Sequence, residues 1–335
     1  MTIQTPFGVR LVATGSAVPD GILTNADLEK MIDTSDEWIQ KRTGIHERRI
    51  CDPDKGEGAF ELECKAITSA LDAAGMDASE LDMLIVGSLT SEMRCPSNAC
   101  RVSHAIGAGT AAAFDLNAAC SGFVYSMNIA DSLIRSGRHR AIGVIGCDTL
   151  SKFIDYSERT VSILFGDAAG AAVLVRDDEH PEVGCIYQKT EGNGNGWENL
   201  YMPNVERDVP LAAGPCDAAL GNLRMNGREV YKFAVKKFQA VIEDALEQTG
   251  LGVDDVAQFV CHQSNLRMIE SAKEKIGLPD DKVHVNINRY GNSSAGSVGL
   301  CLDELWRAGK IQRGDTVILV AFGAGLTWAS SVWRV

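Results

Sequence analysis

LNAACSGFVYSMNIAD, residues 116–131, sets two different hydrophobic periods on either side of one cysteine. Before it, Phe114, Leu116 and Ala118 alternate with polar or small residues, the two-residue period of a strand. After it, Phe123, Met127, Ala130 and Ile134 fall along one face of a helix. Cys120 is therefore predicted at a strand-to-helix turn, beside the unpaired N–H groups and positive partial charge of a helix N-terminus. A thiolate is stabilised there, so the thiol pKa is expected to fall and the residue to act as a nucleophile. The same small side chain also reads as ordinary core packing. The rest of the chain has to separate the two.

The chain has 335 residues, enough for one large domain or two intimately packed ones. At 45% hydrophobic and 23% charged residues, it has the composition of a soluble globular protein. No apolar run approaches the ~18 residues of a membrane span. The opening residues, MTIQTPFGVRLVATG, lack the basic and apolar regions of an export signal. A cytoplasmic location is expected, with the ten cysteines reduced. Cys95, Cys100 and His104 lie close together but want a fourth ligand, so they read as packing and no metal is expected. A net charge of −13 argues against nucleic-acid binding. It also makes the basic cluster Arg224, Arg228, Lys232, Lys236 and Lys237 conspicuous. Three of these stand four apart on one helix face, either a solvated face or a docking patch for an acidic partner or phosphorylated ligand. GNGNG, residues 192–196, does not follow a strand and open a helix, and reads as a flexible surface loop.

Two halves of the chain resemble each other. ALDAAGMDASELDMLIVG (70–87) and ALEQTGLGVDDVAQFVCH (245–262) both read as helix end, glycine cap, acidic turn and apolar strand, 175 residues apart. AACSGFVYS, from Ala118, and YGNSSAGSV, from Tyr290, align at an offset of 172, which sets Asn292 opposite Cys120. The helices that follow end in Arg135-Ser136-Gly137 and Arg307-Ala308-Gly309, and each leads into an apolar strand. A period this long is two α/β halves rather than a solenoid. Ligands of such folds sit at the carboxyl ends of strands. The duplication therefore predicts that Cys120, Asn292 and His262 face one another.

At this point the motifs resemble a known family. TSDEWIQKRTGI (34–45), NAACSGF (117–123), FGDAAGAAVL (165–174), HQSNLR (262–267), RYGNSSAGS (289–297) and FGAGLTW (322–328) occur in the order of the β-ketoacyl-acyl-carrier-protein synthase III condensing enzymes. The resemblance covers nearly the whole length. It implies an α/β, thiolase-like, five-layered αβαβα fold of two duplicated halves, 1–178 with the nucleophile and 179–335 with the histidine and asparagine. It also implies a homodimer, acyl-CoA and acyl carrier protein as partners, and no cofactor.

The resemblance assigns roles that chemistry supports. Cys120 takes the acyl group from acyl-CoA, with the backbone N–H groups of Cys120 and Ala324 as oxyanion donors. The family often has glycine where Ala324 stands, so φ is restricted there. His262 and Asn292 carry N–H donors for the enolate left when malonyl thioester loses CO₂. Thr34-Ser35-Asp36-Glu37 reads as a capping box that starts a helix with Trp38 and Arg42 on one face. An indole beside a guanidinium suits an adenine ring and its phosphates. Thr34, Trp38, Arg42, Arg159 and Tyr231 are implied for CoA. Lys232, Arg267 and Lys275 are implied for carrier docking, with Glu274 departing from the basic pattern. Cys95, Leu150 and Phe322 are implied for the acyl pocket. Cys95 stands where some acetyl-preferring relatives have a bulky aromatic that closes the acyl tunnel from the partner subunit, so branched or medium acyl primers beyond acetyl are expected to fit.

Other readings use similar residues. A condensing enzyme of secondary metabolism has the same triad with other primers. A thiolase uses a second cysteine that FGAGLTW lacks, and hydroxymethylglutaryl-CoA synthase would want a glutamate acid/base. A Cys-His hydrolase would release free acid. A pure acyl-CoA binder needs no nucleophile.

Overall fold

A computed structural model describes residues 5–205, 209–210 and 220–335. The chain begins with strand β1 (Gly8–Ala17) and a short β2 (Ile22–Thr24), β3 (Glu47–Arg49) hairpin that encloses helices α1 (Asn25–Met31) and α2 (Asp36–Thr43). It continues through α3 (Ala59–Ala74), β4 (Met83–Gly87), α4 (Asn98–Ala105), β5 (Ala112–Leu116), α5 (Gly122–Arg135), β6 (Ala141–Thr149), the short α6 (Arg159–Ser162) and β7 (Asp167–Asp177). The second half runs β8 (Gly184–Gly192), β9 (Leu200–Tyr201), β10 (Arg224–Met225), α7 (Gly227–Thr249), β11 (Gln258–Cys261), α8 (Leu266–Ile276), the short α9 (Ile287–Tyr290), α10 (Gly296–Arg307), β12 (Thr316–Gly323) and β13 (Thr327–Arg334).

The duplication is visible in the sheets. The first has strand order β1-β7-β6-β4-β5 and the second β8-β13-β12-β11. Pairing directions repeat: the outer two pairs are antiparallel, β4 is parallel to β6, and β11 is parallel to β12. Where β5 flanks β4, the second sheet keeps only a parallel bridge between Phe259 and Val283. Helices α5 and α10 fill the space between the sheets, α3 and α4 cover the first outer face, and α7 and α8 cover the second. Together these make five layers, αβαβα.

The predicted helix face is the one that is buried. Phe123, Met127, Ala130 and Ile134 are all 0% exposed in the central layer. Burial of each of the three larger side chains contributes roughly 1.5–3 kcal/mol. One part of the alignment needs correction. The 172-residue offset holds at the C-terminal ends of α5 and α10, whose glycine caps Gly137 and Gly309 have φ of 79° and 66°. At their N-terminal ends the offset is 175, because left-handed Ala119 (φ 48°) matches left-handed Ser294 (φ 50°). Two of the three residues come from α10 having 12 residues against 14 in α5, and the third from the turn ahead of each helix, which is one residue shorter between Ser294 and Gly296 than between Ala119 and Gly122. Asn292 therefore lies just upstream of the turn that corresponds to the cysteine's.

The central layer sits close to the first sheet because glycines leave room. A Cβ on Gly170 of β7 would lie 2.3 Å from the carbonyl carbon of Gly299 in α10, and one on Gly87 of β4 would lie 2.5 Å from that of Gly122 in α5. Backbone cannot yield as a side chain can. Gly170→Ala is expected to lose about 1–3 kcal/mol of stability, read as a lower midpoint in urea unfolding; an unchanged midpoint would mean that the layers can separate freely.

Candidate active site

Cys120 sits in a turn held from several sides. The Asn117 side-chain oxygen accepts from the Ala119 N–H at 3.2 Å, and the Thr327 hydroxyl donates to the Ala118 carbonyl at 3.2 Å. Ala119 in the left-handed region costs conformational energy that the surrounding contacts must offset. Gly323, at the end of β12, lies against this turn: a Cβ there would be 2.8 Å from the Cys120 nitrogen. Ala324 is the next residue, and its N–H belongs to the same loop. The left-handed residues of that loop are Gly325 (φ 71°) and Leu326 (φ 47°), so the alanine carries no such strain.

The second half supplies the other two groups. His262 follows β11, with its backbone N–H bonded to the Val320 carbonyl at 2.8 Å and its ring edge-on to Phe322 at 5.3 Å. The HQSN segment is local architecture around it. The Gln263 side-chain oxygen accepts from the N–H groups of Asn286 and Ile287, and Asn265 caps α8. Asn292 is clamped to the first half through its backbone: its N–H donates to the Leu164 carbonyl at 2.8 Å and its carbonyl accepts from Gly166 at 3.1 Å. Its side-chain oxygen accepts from the Ser294 N–H at 2.9 Å, which leaves the amide N–H groups for a ligand. Cys120, His262 and Asn292 all line one cavity of about 600 Å³.

The electrostatics correct the expectation for the nucleophile. Burial, with the Asp148 carboxylate nearby, pushes the Cys120 thiol up to about 12, and the Ser294 hydroxyl, 3.3 Å from the sulfur, opposes this only in part. The helix start does not produce a resting thiolate, because a buried anion loses more hydration than the turn returns. Burial likewise lowers His262 to about 3, so its imidazole is neutral at neutral pH. The resting site is thus a thiol beside a neutral ring.

The cavity mouth gathers part of the set implied for CoA. Trp38, Arg42 and Tyr231 line it, as do Lys232 and Arg267. The Arg42 and Arg159 guanidinium carbons lie 5.7 and 4.6 Å from the Trp38 ring centre. Arg159 flanks the indole without forming cavity wall, and its guanidinium donates to the Asp33 carbonyl at 3.1 Å. The helix cap is displaced by one residue: Ser35 caps α2 through the Trp38 N–H, whereas Thr34 has a buried hydroxyl without a partner and lies off the cavity. Of the acyl-pocket residues only Phe322 reaches the wall. Leu150 is packed among Ile39, Ile154 and Val161, and Cys95 is exposed on the segment before α4. Lys275 is exposed on α8, away from the cavity.

Residues 192–196 also differ from expectation. β8 extends to Gly192, and a turn of 3₁₀-helix over Gly194–Asn199 packs Gly196 against Leu326, itself cavity wall. The segment thus follows a strand and opens a turn of 3₁₀-helix, while residues 192–195 are exposed at the surface, as expected.

Sequence reasoning missed three residues. Asp148, at the end of β6, is fully buried and accepts from the Leu89 N–H at 2.9 Å, the Thr90 hydroxyl at 3.0 Å and the Ala295 N–H at 3.1 Å. Ser294 faces the sulfur, and Ser297 lies 2.7 Å from His262 Nδ1. The signal for Asp148 was a lone carboxylate closing the apolar run AIGVIGC; both serines lie inside a motif that drew notice only for its asparagine.

Comparison with known proteins agrees with this arrangement. The family described as 3-oxoacyl-[acyl-carrier-protein (ACP)] synthase III matches residues 114–192, and its C-terminal counterpart matches 246–335. A protein named beta-ketoacyl-[acyl-carrier-protein] synthase III from Caldanaerobacter subterraneus subsp. tengcongensis is 45% identical, covering 96% of both chains. The crystal structure of 3-oxoacyl-[acyl-carrier-protein] synthase III from Aquifex aeolicus VF5 matches at a TM-score of 0.89 and 39% identity, covering 98% of this chain and 100% of its own. The priming beta-ketosynthase of the R1128 polyketide biosynthetic pathway matches at 0.90 and 33%, covering 99% and 98%. With identity of this level running through both halves, the chain belongs to the β-ketoacyl-[acyl-carrier-protein] synthase III family.

Proposed function

We propose that this chain starts fatty acid synthesis by condensing an acyl-CoA primer with malonyl-acyl carrier protein, giving β-ketoacyl-acyl carrier protein, CoA and CO₂. The observation that carries this reading is one cavity lined by Cys120 from the first half and by His262 and Asn292 from the second. In the first step the Cys120 sulfur attacks the thioester carbonyl, and the oxyanion faces the N–H groups of Cys120 and Ala324. The carbon–sulfur bond to CoA breaks, and the thiol proton leaves with the departing sulfur. In the second step malonyl thioester loses CO₂, and the enolate oxygen accepts hydrogen bonds from His262 Nε2 and Asn292 Nδ2. The enolate carbon attacks acyl-Cys120, the sulfur is expelled, and a proton from solvent restores the thiol. Neither step calls on a cofactor or a metal.

The Trp38 indole with Arg42 and Arg159 suits the adenine and phosphates of CoA, and Tyr231 adds to that wall. Arg228, Lys232, Lys236 and Arg267 are exposed near the mouth, with Lys275 further along α8, on a chain of net charge −13. That contrast suits an acidic carrier protein and speeds its encounter. β5 is a sheet edge, paired only with β4, and a second copy pairing there accounts for a homodimer. The cytoplasm, where CoA esters and reduced thiols coexist, is the compartment that suits these substrates. The R1128 likeness supports a second reading, in which the same triad primes a specialised pathway.

Wild-type protein incubated with acetyl-, isobutyryl- and hexanoyl-CoA should gain the matching acyl mass, be discharged by malonyl-acyl carrier protein, and lose both properties on Cys120→Ala. Absence of any adduct on folded protein would remove the acyl-cysteine route. Alkylation of Cys120, followed on its own peptide, should rise about tenfold per pH unit between pH 7 and 9, since the thiol ionises only near 12; a rate already flat at pH 7 would mean a resting thiolate. Malonyl decarboxylation should show no limb near pH 6.5, because His262 stays neutral until about 3. Cys95→Phe should narrow the primer range towards acetyl if a partner copy brings this residue to the cavity; an unchanged range would leave chain length to the wall around Phe322.

A further inference from the structure

Ser297, in the first turn of α10, is 1% exposed, and its hydroxyl stands at a junction of three groups. Its oxygen lies 2.7 Å from His262 Nδ1 and 2.9 Å from the Ser294 carbonyl, and it accepts from the Gln263 N–H at 3.4 Å. A serine has one hydrogen to give. The Ser294 carbonyl already takes the backbone N–H of Ser297 at 3.2 Å. Nδ1 has Ser297 as its one hydrogen-bond partner among the described residues and is the nearer of the two acceptors. The Gln263 N–H, donating into the same oxygen, polarises the O–H outward. The ring is also fixed in place from its other side by edge-on contact with Phe322.

We propose that Ser297 is a positioning residue of the condensation: its hydroxyl donates to His262 Nδ1 and so holds the neutral ring in the tautomer with hydrogen on Nε2. This rests on the reading that His262 stabilises an enolate, and it says how a neutral ring is kept ready to do so. With Nδ1 engaged as an acceptor, the ring's one hydrogen is on Nε2. With Nδ1 as the donor, Nε2 would present a lone pair to the enolate oxygen and repel it. Ser297 does not touch substrate; it acts through His262. Ser294, in the left-handed turn before α10, faces the cysteine sulfur instead, so two serines three residues apart place a hydroxyl beside each of these two side chains.

The tautomer can be read without any variant. Nitrogen-15 histidine spectra of the full chain, with the His262 signals assigned by their loss in His262→Gln, should show the one-bond proton coupling on Nε2 and a bare Nδ1 at neutral pH. Coupling on Nδ1 instead would overturn the proposal. Ser297→Ala should cut kcat for malonyl thioester decarboxylation tenfold or more, leave KM within about twofold, and mix the two tautomers. Ser297→Thr, which restores the hydroxyl, should recover most of the rate and the single tautomer. An unchanged kcat in Ser297→Ala, or no recovery in Ser297→Thr with the fold intact, would reduce Ser297 to packing. If the wild type showed the Nε2 hydrogen but no decarboxylation, the assigned reaction would fail while the tautomer stood.

Discussion

Everything in the site depends on how closely two backbones approach where the halves meet. Gly170 faces Gly299 and Gly146 sits where a Cβ would fall 2.3 Å from the Ala295 carbonyl oxygen, while within the first half Gly87 faces Gly122. At those separations there is no room for side chains, so the starts of α5 and α10 rest almost directly on the first sheet. Asp148 then fastens the second half's turn to the first half's strand through the Ala295 N–H. The Leu164 and Gly166 bonds to Asn292 do the same from the neighbouring segment. The three side chains that line the cavity, Cys120, His262 and Asn292, come from both halves, and their relative placement is set by backbone contacts, which have no rotamers to choose among.

A second constraint follows from the first. Cys120 and His262 are buried at this junction, and burial acts against charge. Cys120 is kept as a thiol and His262 as a neutral ring, while Asp148 is itself held above the ordinary carboxylate range by burial despite several donors. Hydrogen-bond direction therefore does the positioning that ion pairs do elsewhere. The cationic side chains closest to the cavity sit at its mouth, in the arginines around Trp38 and the exposed Lys232 and Arg267, where they can meet anionic partners in water.

Much of this was legible in the sequence, for reasons that differ by element. The α5 face could be read because four apolar residues keep helical spacing, and all four are buried. The duplication could be read because glycine caps and apolar strands are local features that survive in both copies. The shift of Asn292 relative to Cys120 could not, since it depends on α10 and the turn before it being three residues shorter together. The thiol pKa was misjudged because position on a helix is written in the sequence and desolvation is not. Leu150 lies off the wall because cavity walls are set by which face of each segment turns inward, and a position along the chain does not say which face that is.

The strand edges have a consequence for growth. β1 and β8, the outermost strands on one side, press against each other, with Gly184 allowing its backbone to meet Val9. On the other side the second sheet ends beneath the segment that bridges to Phe259 through Val283. β5 ends the first sheet, paired on one side with β4 and touched by the start of α4 through Asp115 and the Ala113 carbonyl. A body with two unlike open edges can add copies end on end without limit. A body with one edge that complements itself is used up by a single pairing. The missing fifth strand of the second half thus leaves the two sheets with unlike ends, and an edge that complemented itself would stop growth at one pairing where two open edges would not.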